Sequence, residues 1–160
     1  MKKSLLILVI FCFGQAAFAL DDISCWDNNC LQHGWTRTNL ATKNFTDYQC
    51  YREGCEKSGW IAGGSLNENF YTQCKGGECF RQGWYEIARA DQKLLRQTDC
   101  VANNCFKSGW MTYSAVGISK TTCLENDCAH KGWQTLEPQG HFRFVKCKTG
   151  GCFVSGWTEN

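Results

Sequence analysis

Apolar and aromatic positions in this chain recur in blocks, and the block repeats. Each block is Cys, four residues, Cys, three residues, Gly-Trp. It occurs six times, closing on Gly34-Trp35, Gly59-Trp60, Gly83-Trp84, Gly109-Trp110, Gly132-Trp133 and Gly156-Trp157. The paired cysteines are Cys25 and Cys30, Cys50 and Cys55, Cys74 and Cys79, Cys100 and Cys105, Cys123 and Cys128, and Cys147 and Cys152. Successive first cysteines are 25, 24, 26, 23 and 24 residues apart. A period this regular marks a repeat architecture, in which each unit buries its apolar face against its neighbours.

Between blocks the pattern is that of short strands. Phe45-Thr46-Asp47-Tyr48-Gln49, Phe70-Tyr71-Thr72-Gln73, Ile118-Ser119-Lys120-Thr121-Thr122 and Phe142-Arg143-Phe144-Val145-Lys146 each lead into a first cysteine. They are rich in β-branched and aromatic residues and too short for stable helices. A second extended segment follows each Gly-Trp, then polar turn residues such as Pro138-Gln139-Gly140, where Pro presets φ and Gly accepts a positive φ. Each Trp-to-Cys interval therefore predicts a β-hairpin. One interval carries a competing signal: Ile87, Ala90, Leu94 and Leu95 fall at helical spacing among good helix formers. Repeat register predicts a hairpin there too, with a helical turn as the alternative.

The expected fold is all-β, with six disulfide-stabilised hairpin repeats of about 24 residues. Residues 20–24 resemble the strand before a first cysteine, and Gly156-Trp157-Thr158-Glu159-Asn160 the strand after a Gly-Trp. If these halves pair, the array closes into a ring or barrel without free edges. A linear β-solenoid, the alternative, would want polar caps at both ends.

Cysteine usage sharpens this picture. Residues 1–19 read as a cleaved signal peptide: Lys2 and Lys3, an apolar run from Leu5 to Phe13, then Ala17-Phe18-Ala19. Residues 20–160 then form a single repeat domain, secreted or periplasmic, with no membrane insertion after cleavage. Of thirteen cysteines only Cys12 lies in the leader, so all the others sit in the repeats. An even set in an oxidising compartment reads as disulfides rather than zinc ligands. The fourth residue between the paired cysteines is Asn29, Gly54, Glu78, Asn104, Asp127 or Gly151, mostly types that tolerate the left-handed backbone. A reversal there would bring the two cysteines of one repeat together; linkage between neighbouring repeats is the rival pairing. The residues before Gly-Trp fit either one helical turn ended by the glycine or a strand with a bulge.

Chemistry-bearing motifs are few. His33, His130 and His141 occupy different places in or outside the repeat, and no Cys-x-x-Cys is present, so neither hydrolytic nor thiol redox catalysis is expected. No metal or cofactor is expected. Without the leader the basic and acidic residues balance, which argues against a nucleic-acid partner. The Trp column and the apolar residues after each second cysteine read as core. Trp26, Tyr51, Tyr71, Tyr85 and Tyr113 vary between repeats and are the candidate ligand contacts, because aromatic rings give large contact area at small entropic cost. Gly-Trp at this period, with an aromatic pair at Phe70-Tyr71, resembles bacterial choline-binding and cell-wall-binding repeats, although the paired cysteines are foreign to that family. Two functions follow as expectations: a non-enzymatic binding module for a glycan or protein, and a structural or protective envelope protein.

Overall fold

Alternation of side chains along each short strand places one face inward at every second residue. A computed structural model, which describes residues 20–66 and 68–160, shows the result. Twelve antiparallel strands close into an up-and-down barrel. They are β1 (Asp21–Cys25), β2 (Gly34–Asn39), β3 (Phe45–Cys50), β4 (Trp60–Gly64), β5 (Phe70–Cys74) and β6 (Gly83–Ala88). The second half comprises β7 (Leu94–Cys100), β8 (Trp110–Ser114), β9 (Gly117–Cys123), β10 (Trp133–Leu136), β11 (Phe142–Cys147) and β12 (Trp157–Glu159). β1 pairs with β12 through Asp21↔Glu159, Asp22↔Thr158 and Ile23↔Trp157, so the two half-hairpins do close the ring. The proposed leader lies outside the described residues.

The ambiguous interval is a hairpin. β6 and β7 pair from Gly83↔Asp99 to Ile87↔Leu94, with a bulge after Glu86. Its helical spacing lost to cross-strand pairing on both sides, since β7 also pairs with β8.

Register at the disulfide end is the same in every repeat. Each first cysteine stands opposite the Trp of its own repeat, as in Cys25↔Trp35, Cys50↔Trp60 and Cys123↔Trp133. All six disulfides lie within repeats, with Cα–Cα separations of 4.4–4.7 Å. After the second cysteine comes a single helical turn: α1 (Cys55–Ser58), α2 (Cys79–Gln82), α3 (Cys105–Ser108), α4 (Cys128–Lys131) and α5 (Cys152–Ser155). The first repeat makes the same bonds, His33 N to Asn29 O and Gly34 N to Cys30 O, both 3.0 Å. The strand-and-bulge alternative is thereby excluded. Asn104 and Asp127 cap their turns, accepting from the backbone N–H of Lys107 and His130 at 3.1 Å.

The site of chain reversal differs from the expected one. In four repeats the positive-φ residues are the second and third between the cysteines: Asp27 and Asn28, Gly76 and Gly77, Ala102 and Asn103, Glu125 and Asn126. The fourth residue there is extended, with φ from −141° to −155°. Two adjacent positive φ values with a bond such as Asn29 N to Trp26 O (2.9 Å) describe a tight I′-like turn. Repeats two and six close the same bond, Gly54 N to Tyr51 O (2.8 Å) and Gly151 N to Lys148 O (3.1 Å), but there the fourth residue itself has a positive φ and is glycine, Gly54 at 85° and Gly151 at 109°, with Gly150 at 94° before it. The Asn and Asp at the other fourth positions serve helix capping instead.

Glycine before Trp answers to sterics as well as to φ. At Gly109 a Cβ would lie 2.1 Å from the carbonyl oxygen of Thr121 on the next repeat's first strand. The same column in the other repeats meets its neighbour at 2.0–2.4 Å. Repeats are joined further by sulfur packing. The first-cysteine Sγ sits on the carbonyl of the preceding repeat's second cysteine, at 3.3 Å for Cys50 and Cys30 and 3.5 Å for Cys25 and Cys152. A disulfide sulfur has no proton to donate, so these are packing contacts and not hydrogen bonds.

Inside, the six repeat tryptophans form a closed circuit. Neighbouring ring centroids from Trp35 through Trp60, Trp84, Trp110, Trp133 and Trp157 back to Trp35 are 5.4–6.3 Å apart. Phe80, Phe106 and Phe153, from three helical turns, meet at 4.8–5.8 Å and plug the disulfide end. Just beyond the tryptophans, two residues before each first cysteine, lies a buried column of Ile23, Tyr48, Thr72, Thr98, Thr121 and Val145. No helix among the described residues is long and apolar enough to cross a membrane. The strands, of three to seven residues, are also shorter than the roughly 9–11 that a spanning strand needs.

Candidate ligand-binding lumen

The five candidate contact residues do not converge on one site. Trp26 and Tyr51 follow first cysteines at the disulfide end, whereas Tyr71, Tyr85 and Tyr113 lie on the outer wall of β5, β6 and β8. Trp26 Nε1 donates to Thr36 Oγ1 (2.9 Å), and the Tyr71 hydroxyl donates to Gln92 Oε1 (2.8 Å). Lys75 Nζ sits 4.8 Å from the centre of the Tyr85 ring. Tyr51 and Tyr113 are the most open of the five. Burial of Tyr51, with Tyr71 nearby, raises its hydroxyl pKa. His33, His130 and His141 are exposed and far apart in the fold, His130 within 3.0 Å of Asp127 on its own helical turn. No group of three or more metal-binding side chains occurs among the described residues.

The barrel interior offers a more coherent site. Beyond the tryptophans a cavity of about 420 Å³ runs toward the hairpin end. Its walls follow from strand parity: the residue two after each Trp also faces inward, and these are Arg37, Ala62, Glu86, Thr112, Thr135 and Glu159. The next inward level, four before the first cysteine, holds Asp21, Thr46, Phe70, Arg96, Ser119 and Arg143. One side of the lumen is thus charged and filled, and the other, on β8–β10, is small and hydroxylated. Thr98 and Thr112 hydroxyls are 3.1 Å apart, and those of Thr121 and Thr135 2.8 Å.

Each arginine is held by carboxylates. Arg37 donates through Nε (2.8 Å) and Nη2 (2.6 Å) to Asp21 Oδ2, and through Nη1 to Glu68 Oε1 (3.2 Å). Tyr48 donates its hydroxyl to the other oxygen of Glu68. Arg143 bridges Glu159 (2.9 Å) and Glu137 (3.0 Å), and Arg96 pairs with Glu86, its cross-strand partner. Trp84 and Trp157 donate their indole N–H to Glu86 (3.3 Å) and Glu159 (3.0 Å). Burial raises the Glu86 carboxyl pKa against the pull of Arg96. It also raises the Tyr48 hydroxyl, reinforced by Glu68. For Arg37 burial works toward a lower value, but Glu159, Tyr48, Asp21 and Glu68 together outweigh it and raise the pKa.

Sequence reasoning missed this set, although the signal was present. Counting in steps of two from any Trp assigns Arg37, Glu86 and Glu159 to the interior; counting back from a first cysteine does the same for Arg96 and Arg143. At the open end the lumen meets a second recess of about 830 Å³, where Arg37, Arg96, Arg143 and Glu137 recur beside Gln139 and His141. Compared with known proteins, the chain matches no family model, no curated protein sequence and no solved structure.

Proposed function

We propose that the protein is an exported, non-enzymatic binding module whose partner is a glycan or another protein at or outside the cell envelope. One observation carries the reading. The barrel is sealed at the disulfide end and open at the other, and the opening leads to an aromatic floor with polar, pre-oriented walls. Concave, partly apolar sites with a few fixed polar groups are where small ligands and ligand ends bind. Six disulfides in a small β domain are typical of extracellular proteins and fit export.

A second reading is a structural or protective envelope protein, favoured by the edge-free closure and by a cross-link in every repeat. A glycan array combined with a pull-down from envelope and culture-medium fractions separates the two. Saturable, specific capture supports the binding module. Absence of any partner at high protein concentration, with persistence under protease and denaturant, supports the structural role.

A further inference from the structure

We infer that the lumen, and not the outer wall, is the recognition site, and that it takes the end of a neutral saccharide, one or two rings long, entering from the hairpin end. The inference rests on the binding-module reading and names its ligand class. Size is the first argument. A cavity of about 420 Å³ lies within the roughly 300–1,000 Å³ of small-ligand sites.

The second argument is the match of donors and acceptors. Indole N–H groups of Trp35, Trp60, Trp110 and Trp133 donate to no protein atom among the described residues, unlike those of Trp84 and Trp157. All four rings line the cavity. Arg143 Nε is buried without a protein partner at the same lumen wall. Across from these donors stand the Thr112, Ser119 and Thr135 hydroxyls and the Glu86 and Glu159 carboxylates. A ligand that fits must offer many hydroxyls, each able to donate and accept, together with C–H faces that can lie on indole rings. A saccharide offers both. Planar carboxylate and guanidinium groups already fixed by ion pairs suit neighbouring hydroxyls on one sugar ring, and their pre-orientation reduces the entropic cost of binding.

Charge narrows the class. Asp21, Glu68, Glu86, Glu137 and Glu159 face only Arg37, Arg96 and Arg143, and all three guanidiniums are already engaged. No unpaired cation remains among these to receive an acidic sugar, so anionic saccharides are repelled by the excess carboxylate. Asymmetry of the lumen places the ligand against β8–β10, where small side chains leave room, rather than against the filled side of Tyr48, Phe70, Arg37 and Arg96.

Intrinsic fluorescence tests this directly, because the floor is made of indoles. In a Trp26→Phe background only the six barrel tryptophans remain. Glucose, galactose, mannose, N-acetylglucosamine and their β-linked dimers are titrated, beside glucuronic acid and tetramethylammonium. At least one neutral sugar should change the emission saturably. Ser119→Phe, which fills the open side, should weaken that binding tenfold or more, whereas Tyr85→Ala and Tyr113→Ala should leave it within twofold. Thr112→Val removes a hydroxyl at nearly constant volume and covers the case in which Ser119→Phe does not fold; it should weaken binding several-fold. Binding lost in the tyrosine variants but kept in Ser119→Phe would overturn the lumen site while leaving the binding-module reading intact. Stronger binding of glucuronic acid or tetramethylammonium would overturn the ligand class, and so would a flat titration with every neutral sugar. Failure of the array and pull-down to capture anything would instead remove the reading on which the inference rests.

Discussion

The two ends of this barrel are made from the same twelve strands under opposite constraints. At the disulfide end every repeat meets its neighbour through the same contacts: a glycine against a carbonyl, a sulfur on a helical turn, an indole on the next indole. At the hairpin end the same inward columns hold Arg, Glu, Thr, Ser and Ala in no repeating order, and the loops differ in length. Six-fold repetition is needed where repeats touch, because a change in one unit must fit both neighbours. Variation is allowed where side chains face an open lumen. The contrast locates the scaffold at one end and the recognition chemistry at the other.

Substitutions can break or sharpen that contrast. The largest effects belong to the ring. Trp110→Ala should cost about 3 kcal/mol, the low end of the range for deleting a large core aromatic because this ring is only partly buried, while Tyr113→Ala, three residues along and facing outward, should cost less than about 1 kcal/mol. Chemical denaturation with the disulfides intact measures both. Glycine supplies a matched pair. Gly109→Ala must push a Cβ into the Thr121 carbonyl at positive φ and should destabilise by about 2–3 kcal/mol or more. Gly63→Ala meets nothing within 4 Å and should stay within about 0.5 kcal/mol of the parent. Equal losses at the two glycines would refute the contact argument.

Single cross-links come next. Replacing Cys100 and Cys105 together by serine should cost about 2 kcal/mol, since the loop they close is short, and the barrel should still form from the remaining repeats. Asn104→Ala and Asp127→Ala should each cost about 1 kcal/mol through lost capping. A cap variant as damaging as Trp110→Ala would mean that helical turns, not indoles, hold the repeats together.

The smallest effect is a pH dependence confined to the lumen. Because the folded state raises the Glu86 pKa, it binds this proton more readily than the unfolded chain. The contribution of Glu86 to stability therefore rises as pH falls from neutral through its folded pKa, and levels off below the ordinary glutamate value of about 4.3. Asp99 runs the other way. Its modest burial works toward a higher pKa, but hydrogen bonds from Lys75 and Gln97 lower it, so its contribution is lost at still lower pH. Comparing stability against pH for the parent and for Glu86→Gln isolates the lumen term; identical slopes would show that Glu86 titrates normally.

What was legible in the sequence tracks the same divide. Pairing of Cys25 with Cys30, the hairpins and the closure of β1 on β12 could be read because each rests on local spacing repeated six times. Placement of the turn was misread, since Asn and Asp suit both a left-handed position and a helix cap, and Asn104 and Asp127 took the second role. The lumen was overlooked for a different reason. Bridges such as Arg37 to Glu68 and Arg143 to Glu159 join residues 31 and 16 apart that share no column, so the repeat spacing does not signal them and only the folded strands bring them together.

The circuit of indoles has an optical consequence. Chromophores this near one another share their excitation, so light absorbed by any of the six can migrate around the whole loop before it is emitted. Parting the seam between Trp157 and Trp35 would cut the loop into an open row. The coupled signal in ultraviolet circular dichroism would change at that moment, before any strand need melt, so the molecule carries its own gauge of whether it is shut.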